Sequence, residues 1–559
     1  MTLMATVESR GASTHEVTNQ PPPLVDYNVF EADRPLVEAV RREGADWAEQ
    51  RISAVGELAG SERAQRLGAE ANENPPKLRT HDRYGHRVDE VEFHPAWHEL
   101  LGLAVEHELH SSPWKDPRPG AHVARGAAFM CMSQAEAGIG CPISMTYSVI
   151  PALRHQPELA AEWEPRFLSS AYDPRNVPAP DKPGALAGMG MTEKQGGTDV
   201  RANTTVARPV NGGGPGAEYE LTGHKWFMSA PMCDTFLVLA QADGGISCFL
   251  FPRWTPDGER NRFRLQRLKD KLGNRSNASS EIEFDAASAW LVGEEGAGVP
   301  TIIEMVNHTR LDCVMGGATG MRAGVAGAIH HASHRSVFGR ELIDQPLMRN
   351  VLADLCVESE AATISAMRLA RAYDEAIAGD EEAQSFKRIA NAVLKYWICK
   401  RAPMHAGESL ECLGGNGFVE ESGMPRLFRE SPLNSIWEGS GNVQCLDVLR
   451  AMIKTPASLD AFFTEIAAGS DPRLDAYASS LRDDLPGDIE TIEARARRLV
   501  ERMALALQAS LLIRYGDEAT ADAFCASRLD GDWGQAFGTL PATTSFERII
   551  ERHHPTASG

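Results

Sequence analysis

Two short stretches of this 559-residue chain carry residue types that could do chemistry together. Gly188-Met-Gly-Met-Thr-Glu-Lys-Gln-Gly-Gly-Thr-Asp199 is a glycine-rich turn. Gly196 and Gly197 offer clustered backbone N–H donors, and Thr192 and Thr198 offer hydroxyls. Such a nest suits an anionic group such as a pyrophosphate. Ser435-Ile-Trp-Glu-Gly-Ser-Gly-Asn442 sets one carboxylate, Glu438, beside two glycines. A carboxylate held in a loop of this kind is what a positioned proton abstraction needs. The plainer readings are an ordinary turn of a β domain for the first stretch, and a helix cap or ion-pair partner for Glu438.

The elements that must position these loops follow from periodicity. From Leu36 to Ser170 the pattern reads as helical, with Phe129, Met132 and Ala135 at three-residue steps and Pro113, Pro142, Pro151 and Pro165 as breakers. Tyr172 to Pro183 holds four prolines and reads as a linker. Glu218 to Val292 is rich in β-branched and aromatic residues, interrupted by turn signals such as Asp243-Gly-Gly. It predicts a compact antiparallel β domain of about 110 residues. From Val299 to Lys454 the helical period returns, in the runs Met348 to Ala378 and Phe386 to Leu413. The stretch after Pro456 also reads as helical, most clearly from Thr491 to Leu512. The expected division is 1–184, 185–295, 296–454 and 455–559. An order of helical, β, helical, helical units is not the alternation of a doubly wound sheet. No G-x-G-x-x-G occurs, which argues against a Rossmann nicotinamide site.

Composition narrows the function classes. A net charge of −21 rules out a global basic footprint for nucleic acid or anionic membrane. No apolar run is long enough to span a bilayer. Met1 to Pro23 lacks an apolar core and reads as a polar tail, so the expected location is cytoplasmic. The ten cysteines form no C-x-x-C and read as reduced core residues. His94/His98, His107/His110 and His330/His331/His334 lack matching cysteine or carboxylate spacing, so no metal is expected.

The loops also resemble a known family. Thr192-Glu193 followed by Gly197-Thr198-Asp199 is similar to the T-E-x-x-x-G-[ST]-D signature of the acyl-CoA dehydrogenases, and Glu438 stands in that family's E-G-[ST] motif. The resemblance implies FAD as cofactor. Met189, Met191, Thr192, Gly197, Thr198, Trp226, Phe227 and Ser229 would form the flavin cradle, with Trp226 packed on the ring. The family's hydroxyl two residues after that Trp is Met228 here, and Ser229 follows. Arg335-Ser-Val-Phe338-Gly with Gln345, and Gly414-Gly415, resemble the segments that reach the FAD of a neighbouring subunit. Ile436, Trp437, Gly439, Ser440 and Asn442 flank the base. Glu438 would remove the α-proton of an acyl-CoA thioester while a β-hydride leaves to the flavin. Some family members carry the base on an earlier helix, where this chain has Thr309. The implied fold is α+β, mostly helical: an N-terminal helical domain, a middle β domain and a helical bundle, assembled as a homo-oligomer, a tetramer.

Asn74-Pro-Pro, Val91-Glu-Phe-His-Pro-Ala-Trp-His98 and Leu268-Lys-Asp-Lys-Leu-Gly-Asn-Arg-Ser-Asn-Ala278 point further, to the AidB-like branch. That likeness runs from Gln20 to Lys454. It implies weak dehydrogenation of a short or branched acyl-CoA, and double-stranded DNA binding through an additional C-terminal helical domain in the response to alkylation damage. An ordinary catabolic dehydrogenase without a DNA role is the alternative, and direct flavin-dependent dealkylation of bases a weaker third. Residues 456–559 hold 17 acidic residues, 10 arginines and no lysine, a balance of −7 that opposes DNA binding by the whole segment. The local cluster Arg495, Arg497, Arg498 and Arg502, extended by Arg450 and Lys454, is the candidate phosphate contact. A solvated helix face balanced by Glu490, Glu493 and Glu501 is the competing reading.

Overall fold

The computed structural model describes residues 14–485 and 489–555. Positions 1–13 of the polar tail, and the side chain of Glu490, lie outside the described residues. The N-terminal part contains α1 (Arg34–Arg42), α2 (Glu49–Gly60), α3 (Glu62–Glu73), α4 (Pro95–Glu106), α5 (Ser112–Lys115), α6 (Ala121–Met132), α7 (Gly140–Leu153) and α8 (Pro157–Phe167). A hairpin of β1 (Lys77–His81) and β2 (Arg87–Glu92) interrupts them, which the helical reading of 36–170 missed. Both strands are short, charged and largely exposed, so they carry little of the usual strand composition.

Side chains fix where helices begin by taking N–H groups that the first turn leaves free. Asp33 accepts from Leu36 N before α1, and Ser61 from Ala64 N before α3. Two expected breakers do not break. Pro151 and Pro165 lie inside α7 and α8, within the last turn of each. Pro151 has no N–H for the Tyr147 carbonyl, and the Trp114 indole donates to that oxygen instead, at 2.8 Å.

The middle unit is one seven-stranded sheet of β3 (Ala187–Gly190), β4 (Val206–Pro209), β5 (Glu218–Ser229), β6 (Thr235–Ala242), β7 (Gly245–Pro252), β8 (Phe263–Leu268) and β9 (Ser279–Val292), in the order β3-β5-β4-β6-β7-β9-β8. Most pairs are antiparallel, as expected. However, β3 runs parallel to β6, from Ala187↔Thr235 to Gly190↔Val238, and β4 meets β6 the same way. The start of β3 is tied to the helices, because Ala187 N donates to Thr146 Oγ1 on α7 at 3.0 Å.

The second helical part is α9 (Gly298–His334), a two-residue hairpin of β10 (Ser336–Val337) and β11 (Arg340–Glu341), α10 (Pro346–Ile377), α11 (Glu381–Glu411), α12 (Met424–Glu430) and α13 (Gly441–Lys454). Glycines on α9 let its neighbours approach. A Cβ on Gly317 would lie 2.9 Å from Ile398 of α11, and one on Gly316 would lie 2.8 Å from the Asn434 amide. The last unit is α14 (Ala457–Ala467), α15 (Pro472–Asp483), α16 (Ile489–Tyr515), α17 (Glu518–Phe524) and α18 (Phe546–Arg552). Its arginines reach into the bundle: Arg528 pairs with Asp354 and Glu358, and Arg552 with Glu38 and Glu360. Among the described residues no helix is long and apolar enough to cross a membrane.

One ion pair joins the glycine-rich turn to the sheet. Lys225 Nζ on β5 lies 2.8 Å from Glu193 Oε1, and both side chains are fully buried. Removing one partner of such a pair leaves a buried charge uncompensated, which costs ~3–5 kcal/mol. Lys225→Met should therefore lower unfolding stability by roughly that amount in a denaturant titration. The double variant Glu193→Gln/Lys225→Met should recover a large part of the loss, because no lone charge remains.

Candidate active site

Glu438 lies in the loop between a short turn at Leu433–Ser435 and α13. Its φ is +56°, a left-handed conformation rare for a glutamate, and Gly439 follows at +99°. Three helices hold this backbone. Arg310 Nε on α9 donates to the Glu438 carbonyl at 3.0 Å. Lys395 Nζ on α11 donates to the Trp437 carbonyl at 2.8 Å and also to that of Gly439. Gln444 Nε2 on α13 donates to the carbonyls of Glu438 and Gly439 at 3.1 and 3.0 Å. Gly439 cannot carry a side chain without displacing this clamp, since its Cβ would lie 2.6 Å from Gln444 Nε2.

The Glu438 carboxylate takes a hydrogen bond from Thr309 Oγ1 to Oε2 at 2.7 Å. Burial raises its pKa above the ordinary glutamate value, while the Thr309 bond and the charges of Arg310 and Lys395 pull the other way. Arg310 is itself paired with Asp447 at 2.9 Å, and Asp447 also takes Arg388 and Arg450. The carboxylate is therefore a base of raised proton affinity on a fixed support. It faces a cavity of about 1050 Å³ that runs along α9, walled near Glu438 by Thr309, Cys313, Cys141, Ser144 and Trp437. That volume is at the upper end for small-molecule sites.

Of the residues singled out from the sequence, Glu438 and Trp437 line this cavity. A second group gathers on the sheet. Trp226 N donates to the Thr192 carbonyl at 2.8 Å, which sets the glycine-rich turn against β5. β5 slips register against β9 between Lys225 and Met228. A bulge of this kind re-aims side chains: Lys225 and Met228 are buried, while Trp226 is half-buried and Phe227 is 46% exposed. Lys269 Nζ lies 3.4 Å from the centre of the Trp226 ring. Met228, which stands where the family has a hydroxyl, packs against Gly190 instead.

The turn itself suits an anionic or flat cofactor. Glu193 is directed inward, where it accepts from Thr204 N at 2.7 Å and Thr205 N at 3.2 Å as well as pairing with Lys225. Burial alone would raise its pKa, but Lys225 and these donors hold it down at about 2. The negative charge of the motif is thus neutralised inside the domain. Gly197 and Thr198 stay exposed, while Met189 is buried and Met191 and Thr192 are half-buried. A Cβ on Gly197 would meet Thr192 Oγ1 at 2.4 Å, so the turn closes only with glycine there. Ser229 is half-buried, in the strand's last position.

A third group does not reach the cavity within one chain. Arg335 Nη1 donates to the Asn19 carbonyl at 2.6 Å, and Gln345 Nε2 to the Val337 carbonyl at 2.9 Å. Phe338 is 96% exposed at the tip of the β10–β11 hairpin. Gly414, Gly415, Ile436, Ser440 and Asn442 are likewise exposed. Among the described residues no cluster of three or more potential metal ligands forms.

The arginines of the last unit divide. Arg502 is bound to Asp484 and Ser480 and stacks on Tyr477, so it is not available for a phosphate. Arg495 is half-buried. Arg497 is exposed, and its Nε donates to Asn442 Oδ1 on α13 at 2.8 Å. Arg498, Arg450 and Lys454 are exposed.

Sequence reasoning does not reach the supports of this loop, Thr309, Arg310, Lys395 and Gln444. Thr309 stands where some family members carry the base, and here it faces the base instead. A lysine between Leu394 and Tyr396 in an otherwise apolar helical run is the one signal for Lys395.

Comparison with known proteins matches residues 19–174 to the model of the adaptive response protein AidB N-terminal domain. Residues 188–287 match the acyl-CoA dehydrogenase middle domain, and residues 296–453 the acyl-CoA dehydrogenase C-terminal domain. The chain is 44% identical to AidB of Escherichia coli (strain K12), a protein named as a candidate acyl-CoA dehydrogenase, over 92% of this chain and 95% of that one. It is 30% identical to acyl-CoA dehydrogenase family member 11 of Caenorhabditis elegans, over 84% and 75%. Among solved structures, C. elegans ACDH-11 in complex with C11-CoA superposes with a TM-score of 0.83 at 26% identity, covering 95% of each chain. The apo-form of Bd2924 gives 0.82 at 27%, covering 90% of this chain and all of that one.

The Thr309 contact can be checked without any assumption about activity. Followed by NMR on carbon-13-labelled glutamate, Glu438 should titrate above the ordinary glutamate value. In Thr309→Val it should titrate higher still, because the lost hydrogen bond favoured the charged form.

Proposed function

Because the chain belongs to the acyl-CoA dehydrogenase family, in its AidB-like branch with the acyl-CoA dehydrogenase fold and an extra helical domain, we propose that it dehydrogenates a short or branched acyl-CoA with Glu438 as the base. FAD is that family's cofactor, and when bound it supplies the hydride acceptor. Met191, Thr192, Trp226 and Ser229 would hold the flavin, with Gly197 and Thr198 toward the pyrophosphate, and Ser440 and Asn442 would complete the cofactor site beside the base.

The observation that carries this reading is the Glu438 carboxylate, bonded by Thr309 on a loop whose carbonyls are clamped from three helices, and lining a cavity of about 1050 Å³. Glu438 takes the proton from the carbon next to the thioester carbonyl. Its raised pKa makes it a stronger base than a solvated carboxylate. Thr309 fixes which carboxylate oxygen is free: with Oε2 engaged, Oε1 points the lone pair that accepts the proton. An acyl-CoA substrate is further supported by the C. elegans relative, which was solved with C11-CoA.

A tetramer with cofactor sites shared between chains is part of the proposal. A phenylalanine left 96% exposed on a hairpin tip, beside Arg335, is ill placed in an isolated chain and well placed to reach a neighbouring copy.

A second reading, DNA binding in the response to alkylation damage, is favoured by one feature. Arg497 and Arg498 on α16 stand exposed, and Arg497 bonds Asn442 at the first turn of α13, where Lys400 of α11 lies against Gly441; Lys454 is exposed at the far end of α13, while Arg450 is paired with Asp447. The patch therefore spans the last unit and the bundle rather than the acidic last unit alone.

Purified protein should be yellow and should bleach on anaerobic mixing with isovaleryl-CoA or a homologue. Glu438→Gln should keep the colour and bleach ~10²–10⁴-fold more slowly. A colourless protein that refuses FAD, or bleaching untouched by Glu438→Gln, would overturn the dehydrogenase reading. For the second reading, duplex retention should fall steeply with salt. Arg497→Ala/Arg498→Ala should make the slope of log affinity against log salt shallower by about 2. Binding that ignores salt would exclude phosphate contacts.

A further inference from the structure

The cavity has a polar wall that the proton abstraction does not use. Glu136 is 2% exposed. Its Oε1 accepts from Gly138 N at 2.8 Å and from Ser276 Oγ at 2.7 Å. Its Oε2 is equally buried and accepts from no described residue. The nearest cation, Arg426 Nη1, is 3.6 Å away, beyond a hydrogen bond, and is itself unpartnered. Asn72 is 7% exposed, and its Nδ2 is also unpartnered. Asn72 lies one helical turn beyond Gly68 on α3. A Cβ on Gly68 would sit 3.1 Å from that same Arg426 Nη1, so the three side chains converge. Glu430, one turn after Arg426 on α12, closes the group and accepts from Asn274 N at 2.6 Å. Burial, then the charge of Glu136, pushes the Glu430 carboxyl up to about 7. All four residues line the cavity that Glu438 faces.

A buried carboxylate oxygen and two buried N–H groups without partners are costly, roughly 1–3 kcal/mol each. A hydrocarbon tail would leave that cost in place. The balance of charge argues against an ion as occupant: the two carboxyl groups face two cations, Arg426 and Lys271, which both act on Glu430. What the wall lacks is a group that gives one hydrogen bond and takes one or two. A hydroxyl does both.

We propose that this wall is a recognition site for a hydroxyl group on the acyl chain, so that the preferred substrates are hydroxyacyl thioesters. Glu136 Oε2 accepts the hydroxyl proton, and Asn72 Nδ2 and Arg426 Nη1 donate to its oxygen. The assignment to a thioester rests on the acyl-CoA reading above; the wall itself does not. The discrimination should be large, because a site built to bond a hydroxyl is left with unpaired polar groups by an analogue lacking it.

The test uses the full-length, FAD-loaded protein and isothermal titration. A series of ω-hydroxyacyl-CoA esters of four to eight carbons is compared with esters carrying a methyl in place of the hydroxyl. At one chain length the hydroxyl ester should bind at least tenfold more tightly. That preference should shrink to about twofold or less in Asn72→Leu and in Glu136→Gln, two independent changes in case one fails to fold. Methyl esters binding as tightly at every length would overturn the proposal, and so would ω-amino esters binding more tightly than hydroxyl esters. If no CoA ester binds, the acyl-CoA reading fails by itself, and free 1-pentanol then reports on the wall by saturation-transfer NMR. Transfer in the wild type that is lost in Asn72→Leu supports the wall; no transfer overturns it.

Discussion

The candidate site depends on a left-handed glutamate that the local chain would not choose. At φ +56° the Glu438 backbone stores strain of ~1–3 kcal/mol, and it persists because Arg310, Lys395 and Gln444 bond the carbonyls on either side. Two of these are cations taken out of water. Arg310 is compensated by Asp447, whereas the bonds of Lys395 go to carbonyl dipoles of the loop itself. The loop and its clamp are therefore mutually required. The loop gives a buried ammonium its acceptors, and the ammonium gives the loop its shape. The same two cations lie near enough to restrain the rise in the proton affinity of Glu438. Support and tuning come from the same side chains.

The sheet meets this construction through a second buried charge pair. Lys225 and Glu193 tie the glycine-rich turn to β5 just before the bulge that exposes Trp226 and Phe227. Both partners have their pKa held low, Lys225 at about 8 by burial and Glu193 at about 2. The lysine shift says that burial outweighs the attraction of its partner. The glutamate shift says the opposite for an acid that has four further donors, from Gln195, Thr204 and Thr205. The physical reading is a pair that remains ionised at neutral pH because the carboxylate is over-satisfied. An acid that satisfied has little capacity left for a ligand, so Glu193 acts as a fastening of the turn.

How much of this was legible in the sequence follows from what sequence encodes well. The order of helical and β units was readable because long runs such as α10 and the strongly apolar β6 and β7 show their period directly. The β1–β2 hairpin was not, since its charged residues mimic a helix surface. The parallel pairing of β3 with β6 was not, because four residues carry no sign of direction. For the site, Glu438 could be picked out by its glycines, and the Trp226 stretch by its motif. Their supports could not. Thr309, Arg310 and Lys395 lie far from Glu438 in sequence; the lysine in an apolar run of α11 marks Lys395 as unusual, but nothing local says which loop it serves, because that is set by the packing of α9 on α11. The polar wall shows the same limit: Asn72, Glu136 and Glu430 are unremarkable in sequence and acquire meaning only where three separate segments meet.

The additional helical unit presents a different balance. Among the described residues at least six of its arginines pair with carboxylates, and the pairs of Arg528 and Arg552 reach back to α1 and α10. Arg528 and Arg552 fasten the unit to the rest of the chain, while Arg473, Arg502, Arg514 and Arg548 pair with acids inside it. That accounts for a surface with little positive charge to offer. Arg497 stands differently. It bonds a neutral partner, Asn442, two residues past Ser440 and four past Glu438, so its charge is not spent. A phosphate drawn to Arg497 would compete for the guanidinium that steadies the first turn of α13.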